Sequence, residues 1–217
     1  MLNSYYTVKP EGSKEIVVQK SRFIGHVKRC ETEEEAHAFI NEIKKKHKDA
    51  THNCSAYMIG EHDLIQKAND DGEPSGTAGV PMLDVLKKKG LKDTAVVVTR
   101  YFGGIKLGAG GLIRAYGSTV SLAIEATGVV ERKLMKKMGV SIDYSLLGKV
   151  ENEARQSKYI LDTINYLERV ELFLYTEHED QEEFRNWITN ITNGQAEIHE
   201  GESTYMEIDV PSDKQKE

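Results

Sequence analysis

The chain has 217 residues, 29 Lys and Arg against 35 Asp and Glu, and a formal net charge of −6; 39% of it is hydrophobic and 29% charged. That is the composition of a soluble globular protein long enough for one large domain or two small ones, and no apolar run reaches the roughly 20 residues of a membrane helix. Two cysteines, Cys30 and Cys54, are too few for a disulfide scaffold, and the start MLNSYYTVKP lacks a secretory signal, so the expected compartment is the cytoplasm with no membrane partner.

In chain order, strands are expected at 5–8, 15–20 and 22–28, with a turn marked by Pro10 and Gly12. Thr32 with Glu35 forms a capping box, and Ala36, Phe39, Ile40 and Ile43 follow at helical spacing, predicting a helix over 32–47. Strands near 53–60 and 64–69 flank a turn at 60–63. The stretch 69–81, NDDGEPSGTAGVP, is rich in turn formers and leads into a helix with Pro81 in its first turn and Gly90 as its stop. A strand over 94–100 empties into a glycine loop, and a helix then runs to about 126 with Gly128 as its C-cap.

From residue 134 the order strand, helix, strand, strand, helix, strand spells a ferredoxin-like βαββαβ unit. The fold class is therefore α+β in two domains, over 1–130 and 134–210, with a polar tail at 211–217. The charge divides with them. Residues 1–139 hold 22 Lys and Arg against 17 Asp and Glu, a balance of +5; residues 140–217 hold 7 against 18, a balance of −11. A basic face on the first half can meet a polyanion while the acidic half limits indiscriminate attachment.

The segment TRYFGGIKLGAGGLIRAY at 99–116 carries the chemistry. Glycines admit positive φ and close backbone approach, and a helix start presents unpaired amides with about half a positive charge, which attracts anions. The candidate phosphate or nucleic-acid site comprises Gly103, Gly104, Gly108, Gly110 and Gly111, the cations Arg100, Lys106 and Arg114, and Tyr101 and Phe102 as stacking rings. Close packing of a helix on a sheet demands glycine equally well. Inward pairing of Arg100 would favour that structural reading. The loop is not a Walker A motif, since no Gly-Lys-Ser/Thr follows.

Asp70, Asp71 and Glu73 form an acidic cluster with three readings: a metal or acid–base site, a turn built by side-chain-to-backbone bonds, or ion pairs that orient Arg100 or Arg114. His52 and Cys54 share one face of a strand, but a buried structural thiol is the commoner outcome, and His47, His52, Cys54 and His62 lack a zinc spacing. No catalytic residue, metal or cofactor is assigned.

The strings THNCSAY at 51–57, NDDGEPSGTAGVPML at 69–83 and the 99–116 segment resemble the IMPACT family of the YigZ type, especially its Bacillus-type members. The resemblance extends over nearly the whole chain. It implies the fold of the second domain of ribosomal protein S five for the first half, and something similar to the last domain of elongation factor G for the second. It also implies a link to regulation of translation: eukaryotic members act under stress by competing for an activator of an initiation-factor kinase. That partner has no bacterial counterpart.

Three expectations of function follow. The first is a translation-associated protein that docks RNA phosphate or a ribosomal surface on the glycine loop, its acidic domain facing a protein partner. The second is an enzyme acting on a phosphorylated small molecule or nucleotide; a protein-interaction module is a third.

Overall fold

The computed structural model describes residues 1–211. The tail expected at 211–217 lies outside the described residues from 212 onward. Two compact units are formed. One is Tyr5–Arg132 with the end of the chain from Ile208; the other is Met1–Ser4 with Lys133–Glu207.

The first unit is built on β2 (Glu11–Val18), β3 (Ser21–Arg29), β4 (His52–Ile59), β5 (Ile65–Asn69) and β6 (Thr94–Tyr101). These pair in the order β2-β3-β6-β4-β5, antiparallel throughout. β1 (Ser4–Val8) and three helices, α1 (Glu33–Lys46), α2 (Gly79–Lys88) and α3 (Gly108–Thr127), complete it. The central strand β6 is a run of β-branched residues because both its faces are covered. Val96 and Val98 join Phe23, Met82 and Tyr116 in the core beneath α2 and α3, whereas Ala95 and Val97 meet Phe39 and Ile43 of α1 on the other face.

Each helix starts and stops for a local reason. The Thr32 hydroxyl accepts the Glu35 amide at 3.2 Å, and Ala36, Phe39 and Ile43 form the buried stripe of α1. Pro81 falls in the first turn of α2, where its missing N–H would have no intrahelical partner. Leu112, Ala115, Tyr116, Thr119 and Ala123 are buried along α3, which Gly128 ends.

The hairpin of β2 and β3 differs from expectation. The strand begins at Glu11, and the turn is Gln19 and Lys20, at φ 44° and 66°. A two-residue hairpin turn takes positive φ at both positions, and neither residue is the glycine or asparagine that normally signals it.

The second unit contains β7 (Val129–Ile142), which begins in the first unit, followed by α4 (Leu147–Gln156), β8 (Ile160–Tyr166), β9 (Val170–Glu177), α5 (Gln181–Thr192) and β10 (Glu197–Asp209). β9 lies between β7 and β8, and β7 pairs also with β10 and with β1, so the unit is ferredoxin-like βαββαβ within an α+β protein. Met138, Val140, Leu172 and Leu174 pack on Val150, Ala154, Phe184 and Ile188. The interval 129–133 falls inside an unbroken strand, since VVERKLMK holds no turn former.

Candidate functional site

Two turn-rich segments of the first unit end at helix starts, and their chemistry differs. In the segment before α2, the Asn69 side chain accepts the Asp71 amide at 2.7 Å, and Asp71 sits at φ 46°. The Asp70 carboxylate accepts three amides: Gly76 at 2.9 Å, Ala78 at 3.0 Å and Gly79 at 2.8 Å. Burial opposes its ionisation, but those amides outweigh burial and hold the carboxyl below its ordinary value. The start of α2 is thus occupied by an anion that the chain supplies itself. Asp71 accepts the Asn53 amide at 2.7 Å and the Lys44 ammonium at 2.6 Å.

Glu73 turns inward. Its Oε1 accepts Arg100 Nη1 at 2.6 Å and the Tyr116 hydroxyl at 2.8 Å, with the Glu73 and Arg100 side chains 3% and 6% exposed. The Cys54 Sγ lies within hydrogen-bond distance of both the Asp70 carbonyl, at 3.0 Å, and the Tyr116 oxygen, at 3.3 Å, for its single S–H. Burial pushes that thiol up to about 12, so it is a structural donor and no nucleophile at neutral pH. The Arg100 guanidinium lies between the rings of Phe23 and Phe102, 5.4 and 5.5 Å from their centroids. His52 Nδ1 is 2.8 Å from the Asp71 carbonyl, which can only accept, so Nδ1 carries the proton. Its Nε2 lies 3.8 Å from Glu73 Oε2.

The start of α3 is open. Leu107 precedes it, and among the described residues no side chain caps it. Gly104 and Gly108 take φ values of 85° and 70°, with open space where a Cβ would point. A cleft of about 380 Å³ lies here, with Arg100, Phe102, Lys106, Gly108, His52 and Leu112 among its lining residues. Phe102 is 47% exposed. On another side of the same turn, Arg114, Gln19 and Ser118 line a second cleft of about 230 Å³. Among the described residues, Lys106 and Arg114 form no ion pair.

The predicted site residues therefore separate. Arg100 is consumed by Glu73, the inward pairing that favours a structural role for this arginine. Strand alternation puts Tyr101 on the opposite face of the sheet, where its hydroxyl meets His47 Nδ1 at 2.9 Å, so it does not share a ligand with Phe102. Gly103 is required by packing, since a Cβ there would come within 2.1 Å of the Lys20 backbone. Its amide already donates to Ser21 Oγ at 3.1 Å, and that of Phe102 to Thr51 Oγ1 at 3.0 Å. Gly104, Gly108, Gly110, Lys106 and Phe102 remain accessible, as does Arg114 in its own cleft. Of the acidic cluster only Glu73 touches a predicted cation of the loop.

Tyr116 as a partner of Glu73, and Leu107 and Leu112 as cleft walls, were not singled out from sequence; the i, i+4 spacing of Leu112 and Tyr116 was the available signal. No group of three or more His, Cys, Asp or Glu is placed to hold a metal ion among the described residues. Nor is any described helix long and apolar enough to cross a membrane.

Comparison with known proteins fits this arrangement to a family. Residues 19–124 match the Impact N-terminal domain, and residues 140–195 match a domain of unknown function, DUF1949. The chain is 62% identical to the IMPACT family member YvyE of Bacillus subtilis over all 217 residues, which is the full length of both. It is 36% identical to the IMPACT family member YigZ of Escherichia coli over 65% of this chain and 74% of that one. A solved crystal structure of "an hypothetical protein" superposes with a TM-score of 0.60 at 29% identity, covering 93% of this chain and 99% of the other. With an Impact N-terminal domain matched over residues 19–124 and 62% identity to a family member over its full length, the chain belongs to the IMPACT family.

Proposed function

We propose that the protein binds RNA in the course of translation, docking single-stranded RNA or a ribosomal RNA surface at the open start of α3. The observation that carries this reading is the uncapped first turn of a 20-residue helix beside an ion-pair-free lysine, Lys106, and an exposed ring, Phe102, on the rim of one cleft. Unpaired amides and Lys106 take a phosphate, and Phe102 takes a base face. Arg100 acts as a buried support that holds Phe102. The balance of +5 over residues 1–139 supplies attraction, and the −11 beyond them keeps it weak enough to release. The family resemblance supports the link to translation; a cytoplasmic location accords with it.

The test is binding of the whole protein to ribosomes and to a generic single-stranded RNA over a salt series, with free nucleotides as competitors. Log affinity should fall linearly with log salt, Lys106→Ala should make the slope shallower by about 0.7, and Phe102→Ala should weaken binding with little change in slope. Affinity no higher than that of an unrelated acidic protein removes the reading.

One observation favours a second reading, an enzyme acting on an anionic small molecule. His52 lines the same cleft with Nδ1 on the Asp71 carbonyl and Nε2 3.8 Å from Glu73 Oε2, so an imidazole backed by a carboxylate stands where a general base would meet a bound ligand. A nucleotide and phosphorylated-metabolite panel at millimolar concentration should then raise the melting temperature, and His52→Asn should abolish turnover while sparing the shift.

A further inference from the structure

The cleft beside Phe102 contains a carboxylate that is only half used. Glu73 lines that cleft, yet its side chain is only 3% exposed. Its hydrogen bonds, from Arg100 Nη1 and the Tyr116 hydroxyl, both go to Oε1. Oε2 accepts none among the described residues, and His52 Nε2 stands 3.8 Å from it, beyond bonding distance. Nor is Oε2 sealed inside the protein, as Arg100 Nε is. A carboxylate oxygen withdrawn from bulk water without a donor is costly, and the cleft is the side from which a donor arrives.

The rest of the lining decides what kind of donor fits. Pro74, Phe102, Leu107 and Leu112 give the cleft apolar walls, and its volume of about 380 Å³ falls in the range of about 300–1,000 Å³ of small-ligand sites. Arg100 and Lys106 line it too, so an ammonium or guanidinium on the ligand would meet like charge. The group that fits is a flat, neutral ring with N–H donors on its edge. Among the nucleobases, guanine sets N1–H and an N2 amino group side by side. Uracil places its N3–H between carbonyl oxygens that a carboxylate repels, and adenine and cytosine set a ring acceptor beside their amino group.

The geometry points to a guanine-recognition pocket, in which Glu73 Oε2 accepts from the N1–H and N2 amino edge of a base whose face lies on Phe102. Glu73 is thereby a specificity-determining residue as well as the counter-ion of Arg100. The assignment of that guanine to RNA rests on the reading that this cleft docks RNA; a free guanine nucleotide brings the same edge.

The experiment measures binding of the full chain to the trinucleotides UGU, UAU, UCU and UUU, and to the mononucleotides GMP and AMP. Two altered forms of UGU carry inosine, which lacks the N2 amino group, or 1-methylguanosine, which lacks N1–H. UGU should bind about tenfold tighter than the other natural trinucleotides, and either altered base should remove most of that preference. Glu73→Gln keeps an oxygen for Arg100 and Tyr116 but puts an amide NH2 at the free position, so it should bring UGU down to the level of UUU. The altered bases probe the same contact on wild type if that variant fails to fold. UGU no tighter than UUU, or a preference that survives either altered base, overturns the pocket and leaves the RNA reading standing. GMP bound over AMP with no trinucleotide bound keeps the pocket and removes the RNA reading. No ligand bound at all removes both.

Discussion

The starts of α2 and α3 are built from similar sequence, a glycine-bearing turn-rich segment running into a helix, and they reach opposite states. At α2 the Asp70 carboxylate accepts three amides, so the positive end of the helix is neutralised from within. At α3 the residue before the helix is Leu107, no side chain among the described residues caps it, and Gly108 and Ala109 line a cleft with a lysine on its rim. The comparison teaches that glycines at a helix start do not settle its role. One short acidic side chain at the right offset makes such a start a structural joint.

The largest break in this comparison should come from Glu73, which links the two segments. Glu73→Ala leaves Arg100 buried without its counter-ion and removes an acceptor from Tyr116. It should cost about 3–5 kcal/mol by denaturant unfolding, and a cost below about 1 kcal/mol would show that the pair is not buried. Next comes Asp70→Ala, which strips three amides of their partner and should cost about 2–3 kcal/mol. Added sulfate or phosphate should then restore part of the lost stability by filling the emptied start of α2, and should do little for wild type.

Acid separates the closed helix start from the rest of the molecule. His26 is buried with an unpartnered Nε2, and burial, followed by the neighbouring His47 and Lys46, pulls it down to about 4. A folded pKa below the unfolded one means the unfolded chain takes up the proton first. Stability should therefore fall as pH drops from about 6.5 to about 4. Asp70 and Asp71 are held below their ordinary values, so their contribution is present above the unfolded carboxylate range and is lost as pH falls through the folded values. Asp70→Asn should flatten this lower limb and leave the upper one unchanged in a pH series of unfolding curves.

The smallest effects belong to the open start of α3. Gly108→Ala strains a position at φ 70° and should cost about 1 kcal/mol, whereas Lys106→Ala should change stability by less than about 0.5 kcal/mol. A loss above 1 kcal/mol from the lysine would mean that it is a structural residue.

Much of the architecture could be read from residue order. The helix over α1 follows from the Thr32 and Glu35 cap and the Ala36, Phe39, Ile43 stripe, and the βαββαβ order of the second unit follows from its alternating periods. The family strings were likewise legible. These signals are local: capping and periodicity act within a few residues, so they survive without knowledge of what packs where. The β2–β3 turn was misplaced because Gln19 and Lys20 take positive φ without the usual residues.

Side-chain fate at the site was a different matter. Arg100, Lys106 and Arg114 are equivalent cations in sequence, yet Arg100 is buried on Glu73, Lys106 lines one cleft and Arg114 another. Asp70, Asp71 and Glu73 are near neighbours, yet they cap a helix, bind Lys44 and bind Arg100 respectively. The Asp70 cap is local, but the fates of Asp71 and Glu73 depend on partners 27 to 43 positions away, Lys44 for Asp71 and Arg100 and Tyr116 for Glu73. By itself the sequence determined the elements, the two-domain α+β class and the family, because short-range propensity and hydrophobic period encode them. Only the tertiary structure decided which charges are spent and which are free, because desolvation and ion pairing are settled when distant strands and helices close around them.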